Sequence, residues 1–166
     1  MPVRVTKGGV LAGLVTGLIA VTAPFILCPE PALSSGESAG AGGEMVLGVS
    51  FRGRHRAYPL RYFSPPRVIN DLVRQQEIAV FHDSERGVST AYFSMVLGEP
   101  LAFSGAVTEA VADDLTTMTR WDMISGKAVG GNLVGLELTP LPVSYTTWTK
   151  WFSAHPETTV FSAGNP

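Results

Sequence analysis

The segment from Gly8 to Cys28, GGVLAGLVTGLIAVTAPFILC, runs 21 residues without a charged side chain. At about 1.5 Å per residue, a helix of that length spans a bilayer core of about 30 Å. Arg4 and Lys7 precede the segment and Glu30 follows it. The positive-inside rule then predicts a single-pass protein of the inner membrane. Residues 1–7 would be cytoplasmic and everything after Cys28 periplasmic. The same segment explains the bulk numbers: 16% charged residues, against about 25% in an average soluble domain, and a mean hydropathy of +0.21.

The alternative for this segment is a cleaved signal peptide, which shares the basic start. The apolar run is longer than a signal core of about 7–15 residues. The small-residue site Val21-Thr22-Ala23 is followed by Pro24, and Ala39-Gly40-Ala41 lies well beyond the apolar run. Bulky Phe25, Ile26 and Leu27 argue against Cys28 as a lipoprotein cysteine. A retained anchor is the reading taken. Gly9, Gly13 and Gly17 recur every four residues beside a row of Ala12, Thr16 and Ala20. Small residues at that spacing let helix backbones approach closely, so this face is predicted to pack against integral-membrane subunits.

Residues 29–43, PEPALSSGESAGAGG, lack apolar periodicity and read as a tether. Residues 44–166 are long enough for a core of their own. Met45–Phe51 and Arg54–Tyr58, joined by Arg52-Gly53, read as a hairpin. Further strands are predicted at Ile78–Phe81, Thr90–Val96, Leu101–Phe103, around Arg120–Ile124 and at Leu133–Leu138. The best helix is Thr147–Ala154, with Thr146 as cap, Trp148, Trp151 and Phe152 on one face, and Pro156 as stop. A second short helix is predicted over Pro66–Arg74. The fold class expected is α+β: a β-rich compact extracytoplasmic domain with a few short helices behind one transmembrane helix.

Charge and cysteine content exclude more than they select. A net charge of −2 gives no overall basic field, so no nucleic-acid partner is expected. One Cys excludes an internal disulfide framework, a Cys-x-x-Cys redox pair, a Cys-rich zinc site and c-type haem attachment. Charges are nonetheless uneven. Arg52, Arg54, Arg56, Arg61, Arg67 and Arg74 share their stretch with the single acid Asp71, whereas eight acids between Glu77 and Asp122 face only Arg86 and Arg120. Such a field can orient a domain on an acidic partner surface or on anionic headgroups, with Arg52, Arg54, Arg56, Arg61 and Arg67 facing it.

Three stretches together resemble the bacterial family catalogued as domain of unknown function 3179. They are Arg56-Ala-Tyr-Pro-Leu with Val68-Ile-Asn-Asp71, then Arg120-Trp-Asp-Met-Ile-Ser-Gly-Lys-Ala128, then Leu141-Pro with Thr146-Thr-Trp, Trp151, His155-Pro-Glu-Thr and Val160-Phe-Ser162. The resemblance runs from about Val46 to Ser162 and implies a compact β-rich extracytoplasmic domain of no agreed activity. It also implies a Cys-Pro-x-Cys pair near positions 83 and 86, where this chain has Asp83 and Arg86. That marks a scaffold that has lost a reactive pair. Trp121, Trp148 and Trp151 are read as core or interface anchors. His155 is read as a structural residue at a helix end, and Asn70-Asp71 as a cap or turn.

The densest polar cluster is His82-Asp83-Ser84-Glu85. Four consecutive residues cannot converge as a nucleophilic triad. His82 and Glu85 are weak candidates for metal ligands, with Asp113, Asp114 or Asp122 brought in by the fold and a calcium- or manganese-like ion favoured. A solvated loop is the plainer reading, and Asp113-Asp114 reads as surface. No catalytic residue and no cofactor is assigned. The leading expectation is a non-catalytic, membrane-anchored accessory subunit of a larger integral-membrane complex, by analogy a respiratory or photosynthetic electron-transfer assembly. The alternatives are a metal-binding or enzymatic periplasmic domain using His82–Glu85, and a secreted binding module released by cleavage.

Overall fold

A computed structural model of the chain describes residues 43–163, all within the unit Leu33–Pro166. The predicted span at 8–28, its row of Gly9, Gly13 and Gly17 with Ala12, Thr16 and Ala20, and nearly all of the tether lie outside the described residues. Among the described residues no helix is long and apolar enough to cross a membrane.

The domain opens with the predicted hairpin, β1 (Met45–Phe51) and β2 (Arg54–Pro59). Arg52 and Gly53 both have positive φ (47° and 70°), the geometry of a two-residue turn matched to strand twist. A 3-10 turn, Leu60–Phe63, leads to β3 (Arg67–Val73), β4 (Gln76–Asp83) and β5 (Val88–Phe93). A small hairpin follows, β6 (Met95–Val96) and β7 (Glu99–Pro100), then β8 (Phe103–Thr108), β9 (Val111–Asp114), β10 (Thr119–Asp122) and β11 (Ala128–Gly130). The chain closes with β12 (Thr139–Leu141), β13 (Val143–Thr147), helix α1 (Trp148–Ala154) and β14 (Thr159–Val160). The described domain is therefore β-rich with one short α-helix.

Two main sheets share the work. One has the order β13-β1-β2-β14, with β14 parallel to β2. The other has eight strands in the order β11-β10-β9-β8-β3-β4-β5-β12. Successive side chains of a strand point to opposite faces, and β4 uses both. Ile78 and Val80 pack with Leu47, Val49 and Tyr58 beneath the smaller sheet. Ala79 and Phe81 pack with Phe103, Trp121 and Met123 on the other face, where the large sheet curls over itself. Burial on both faces explains why β4 is an almost continuous buried run. On β5, Thr90 Oγ1 donates to the Met123 carbonyl (2.6 Å) and Tyr92 OH to the Ile124 carbonyl (2.9 Å), drawing that curl closed.

The third cluster seats α1 on the outer face of the smaller sheet, with Trp151 against Val46 and Ala57. Gly48 makes the seat possible: a Cβ there would come within 2.2 Å of the Trp151 indole. The helix starts at Trp148, and Thr147, not Thr146, accepts its first amide from Lys150. Trp151 is buried as expected, whereas Phe152 is 45% exposed and stacks on half-buried Trp148.

Several sequence expectations are corrected. Pro66–Arg74 is not helical but contains β3, with Val68 in one core cluster and Ile69 and Val73 in the other. Leu133–Leu138 forms turns in which only Glu137 bridges to Lys127; Leu138 is held singly, by donation to Gly126 O. The Thr90–Val96 strand is broken at Ser94, whose amide donates to Glu77 O and whose carbonyl accepts from Leu101. The strand expected at Leu101–Phe103 starts only at Phe103.

Candidate functional site

Arg56 and Tyr58 alternate on β2 and so face the same way, toward β3. There Asp71 accepts from Arg56 Nε at 2.7 Å and Nη2 at 3.2 Å, and from Tyr58 OH at 2.8 Å. Arg56 also donates through Nη1 to Thr159 Oγ1 on β14 (3.2 Å). Asp71 is only 10% exposed, and a bidentate guanidinium with a phenol satisfies most of its lone pairs. Burial and the neighbouring carboxylate push the Tyr58 hydroxyl well above its usual range, so it stays protonated and donates. Residue 70, on the same strand, does comparable work toward β8. Asn70 Nδ2 donates to Phe103 O (2.8 Å), and its Oδ1 accepts from Phe103 N (3.0 Å), stitching β3 to β8. Asn70-Asp71 is thus neither cap nor turn. It lies within a strand, ties β2 and β8 to it, and reaches β14 through Arg56.

The His82–Glu85 cluster separates in the same way. His82 and Asp83 are adjacent on β4 and point to opposite faces. Both are buried, which corrects the solvated-loop reading for these two residues. His82 Nδ1 lies 3.2 Å from the Val88 carbonyl, which can only accept, and 3.0 Å from Ser89 Oγ. Its ring packs against Phe63 and Tyr145, and burial lowers its proton affinity against the opposing pull of that carbonyl and of Asp83. Asp83, 1% exposed, accepts from the amides of Glu85 (2.9 Å) and Arg86 (3.0 Å) and from Arg86 Nη1 (2.7 Å). The Arg86 guanidinium and amide hold its carboxyl below the usual range. An ion pair therefore spans positions 83 and 86. Glu85 is exposed.

The remaining acids follow the pattern. Asp114 is buried, correcting its reading as surface, and accepts from the amides of Ala102, Thr116 and Thr117 and from the Thr117 hydroxyl; neighbouring Asp113 is exposed. Asp122 accepts from Ile124 and Ser125. Among the described residues no three of His, Cys, Asp and Glu come together as a metal site.

The five arginines singled out as a basic face have different surroundings. Arg52 and Arg54 flank the β1–β2 tip, exposed. Arg56 is taken by Asp71, and Arg61 pairs with Glu44. Arg67, exposed at the head of β3, lines two neighbouring grooves of about 400 and 290 Å³. In the larger, Arg86, Asp83 and Glu109 bring the formal charge of the walls to balance. In the smaller, Arg67 stands as the single formal charge among Tyr62, Ile69, Gly105, Phe161 and Ala163. Sequence reasoning missed the meeting of Arg67 with Phe161, since nearly a hundred residues separate them. The period-2 spacing of Arg56 and Tyr58 was the available signal for their shared face.

Fold and site define a β-rich domain in which the buried polar side chains mostly fasten backbone to backbone. Residues 24–165 match the family described as "Protein of unknown function (DUF3179)", and the chain belongs to that family. No curated protein and no solved structure matches it.

Proposed function

We infer that this chain is a non-catalytic accessory subunit, anchored in the inner membrane by residues 8–28, whose periplasmic domain holds an acidic segment of a larger integral-membrane assembly. One observation carries the reading. Arg67 is presented in a groove with aromatic walls and no carboxylate of its own, while Asp71, Asp83, Asp114 and His82 are occupied by bonds that hold this fold. A guanidinium beside Tyr62 and Phe161 suits a carboxylate carried next to apolar side chains. At about 290 Å³ the smaller groove is just below the range for ligand pockets, about 300–1,000 Å³, a size for a few side chains.

The test is isolation of the full chain from its native membrane in mild detergent, with a photo-crosslinker at position 67. The expected product joins position 67 to an acidic segment of an integral-membrane protein, and Arg67→Glu abolishes co-isolation while Arg54→Glu does not. A chain that runs alone as a monomer, or a complex indifferent to Arg67→Glu, overturns the reading.

A further inference from the structure

The segment that supplies Phe161 and Ala163 to the smaller groove is fastened upstream by two stacked imidazoles. His55 on β2 and His155 just after α1 lie with ring centroids 3.8 Å apart and planes 18° from parallel. The Trp151 indole sits 4.2 Å from His155 and 6.1 Å from His55. From there the chain is continuous with the groove. Thr158 N donates to His155 O, Thr158 Oγ1 accepts from Trp151 Nε1, and Thr159 and Val160 pair with β2. Phe161 N then donates to Ala57 O, and its ring packs on Tyr58 and Tyr62.

We propose that the His55–His155 stack is an acid-sensitive latch: with His55 neutral the C-terminal segment stays seated on β1–β2, and protonation of His55 unseats it and removes one wall of the Arg67 groove. The proposal rests on the groove reading given above only in its last step.

The groups around the pair set the sign. From β1, Ser50 Oγ lies 2.8 Å from His55 Nδ1 and is uncharged. On β2 the flanking charges are exposed Arg54 and Arg56, the latter held by Asp71. From α1 and the residues after it come exposed Lys150, His155 itself and Glu157, and β14 contributes Thr159. Burial and His155 both lower the proton affinity of His55, and Glu157 opposes them. The seated state therefore favours the neutral ring, while the released ring titrates near its ordinary value of about 6.5. The latch is fully closed above that pH and weakens as pH falls through the lower value of the seated state. As His55 gains a proton on release, the released population rises by up to about tenfold per pH unit across that window.

Hydrogen exchange on the full chain tests this, with rates corrected for intrinsic pH dependence. The reporting amides are His155, Thr158 and Phe161, each bonded within the latch, and the reference amides are Met123 and Leu138 in the other core. Between pH 7.5 and 5.5, protection of the reporters is expected to fall several-fold, with about tenfold as the ceiling, while the reference pair does not move. The double variant His55→Phe, His155→Phe keeps aromatic rings in the stack with no titrating group, and intact reference protection confirms that it folds. In this variant the pH dependence should vanish; if it persists, buried His82 is its source and the latch is overturned. Flat protection in the unaltered chain also overturns it. A fluorescent hexaglutamate peptide reports on the groove separately. Binding at pH 7.5 that Arg67→Gln weakens and that falls with reporter protection supports the coupling, whereas no binding at either pH overturns the groove reading and leaves the exchange result to decide the latch.

Discussion

Asp71 and Asp83 are both carboxylates shut away from solvent against an arginine, yet they work over different distances along the chain. Asp83 binds the two amides and the guanidinium that follow it within three residues, and closes one loop. Asp71 binds Arg56 and Tyr58, residues 15 and 13 positions earlier, and through Arg56 reaches Thr159, which lies 103 positions from Arg56. The first is an Asx-type turn reinforced by charge. The second joins the two sheets and the C-terminal strand at one point. The chemistry is similar in both, so the span of chain between partners should decide how much of the structure each one holds.

The strongest challenge to that comparison is Asp71→Ala. It leaves a half-buried guanidinium and a buried phenol without their acceptor, a loss of about 3–5 kcal/mol for a broken buried pair. Denaturant unfolding should show a large drop in midpoint with little change in slope. The triple replacement Arg56→Met, Tyr58→Phe, Asp71→Leu should recover much of the loss, because it removes the stranded polar groups together with the bond. A single variant no less stable than the parent would mean that Asp71 holds nothing together.

Asp83→Ala should do less to the whole and more to one place. Expected is loss of hydrogen-exchange protection at the Glu85 and Arg86 amides, with a smaller shift in global midpoint than Asp71→Ala produces. The pH dependence has a definite sign. Because Arg86 lowers the folded-state affinity of Asp83 for a proton, its contribution is complete above the ordinary carboxyl value of about 3.9 and is lost as pH falls through the lower folded value. The two amides should therefore open in strong acid, and a global midpoint shift equal to that of Asp71→Ala would erase the distinction between local and long-range carboxylates.

The same distinction governs what was legible in the sequence. Hairpin β1–β2, helix α1 and the burial of Trp121 and Trp151 were readable because their signals are local: Arg52-Gly53, a cap with Pro156 as stop, large aromatic side chains. The Asp71 centre was not readable, since nothing between Arg56 and Thr159 announces that these residues meet. Arg67 was noticed for its charge but not for its groove, whose opposite wall lies at Phe161. β3 was misread for another reason. Its apolar residues Val68, Ile69, Leu72 and Val73 fall at helical spacing, and the turn after it, Arg74-Gln75, contains no glycine to mark a hairpin. Burial of β3 on two faces, against two different clusters, decides for the strand.

That turn offers the finest test. Arg74 and Gln75 hold positive φ of 46° and 65°, the same geometry that Arg52-Gly53 adopts at 47° and 70°. A side chain at the second position is strained there, and Gly relieves it. Gln75→Gly should therefore stabilise the domain by about 1 kcal/mol, less whatever the added freedom of the unfolded chain takes back. Gly53→Gln should cost a similar amount, since a Cβ at position 53 meets nothing within 4 Å and only the backbone is disturbed. Thermal unfolding of the pair checks both signs. Opposite shifts would mean that β3 is placed by its long-range partners, Arg56 and Tyr58 on Asp71 and Phe103 on Asn70, in spite of its own turn. If Gln75→Gly has no effect or destabilises, the turn carries no strain, and a local signal for the β3–β4 hairpin was present but unread.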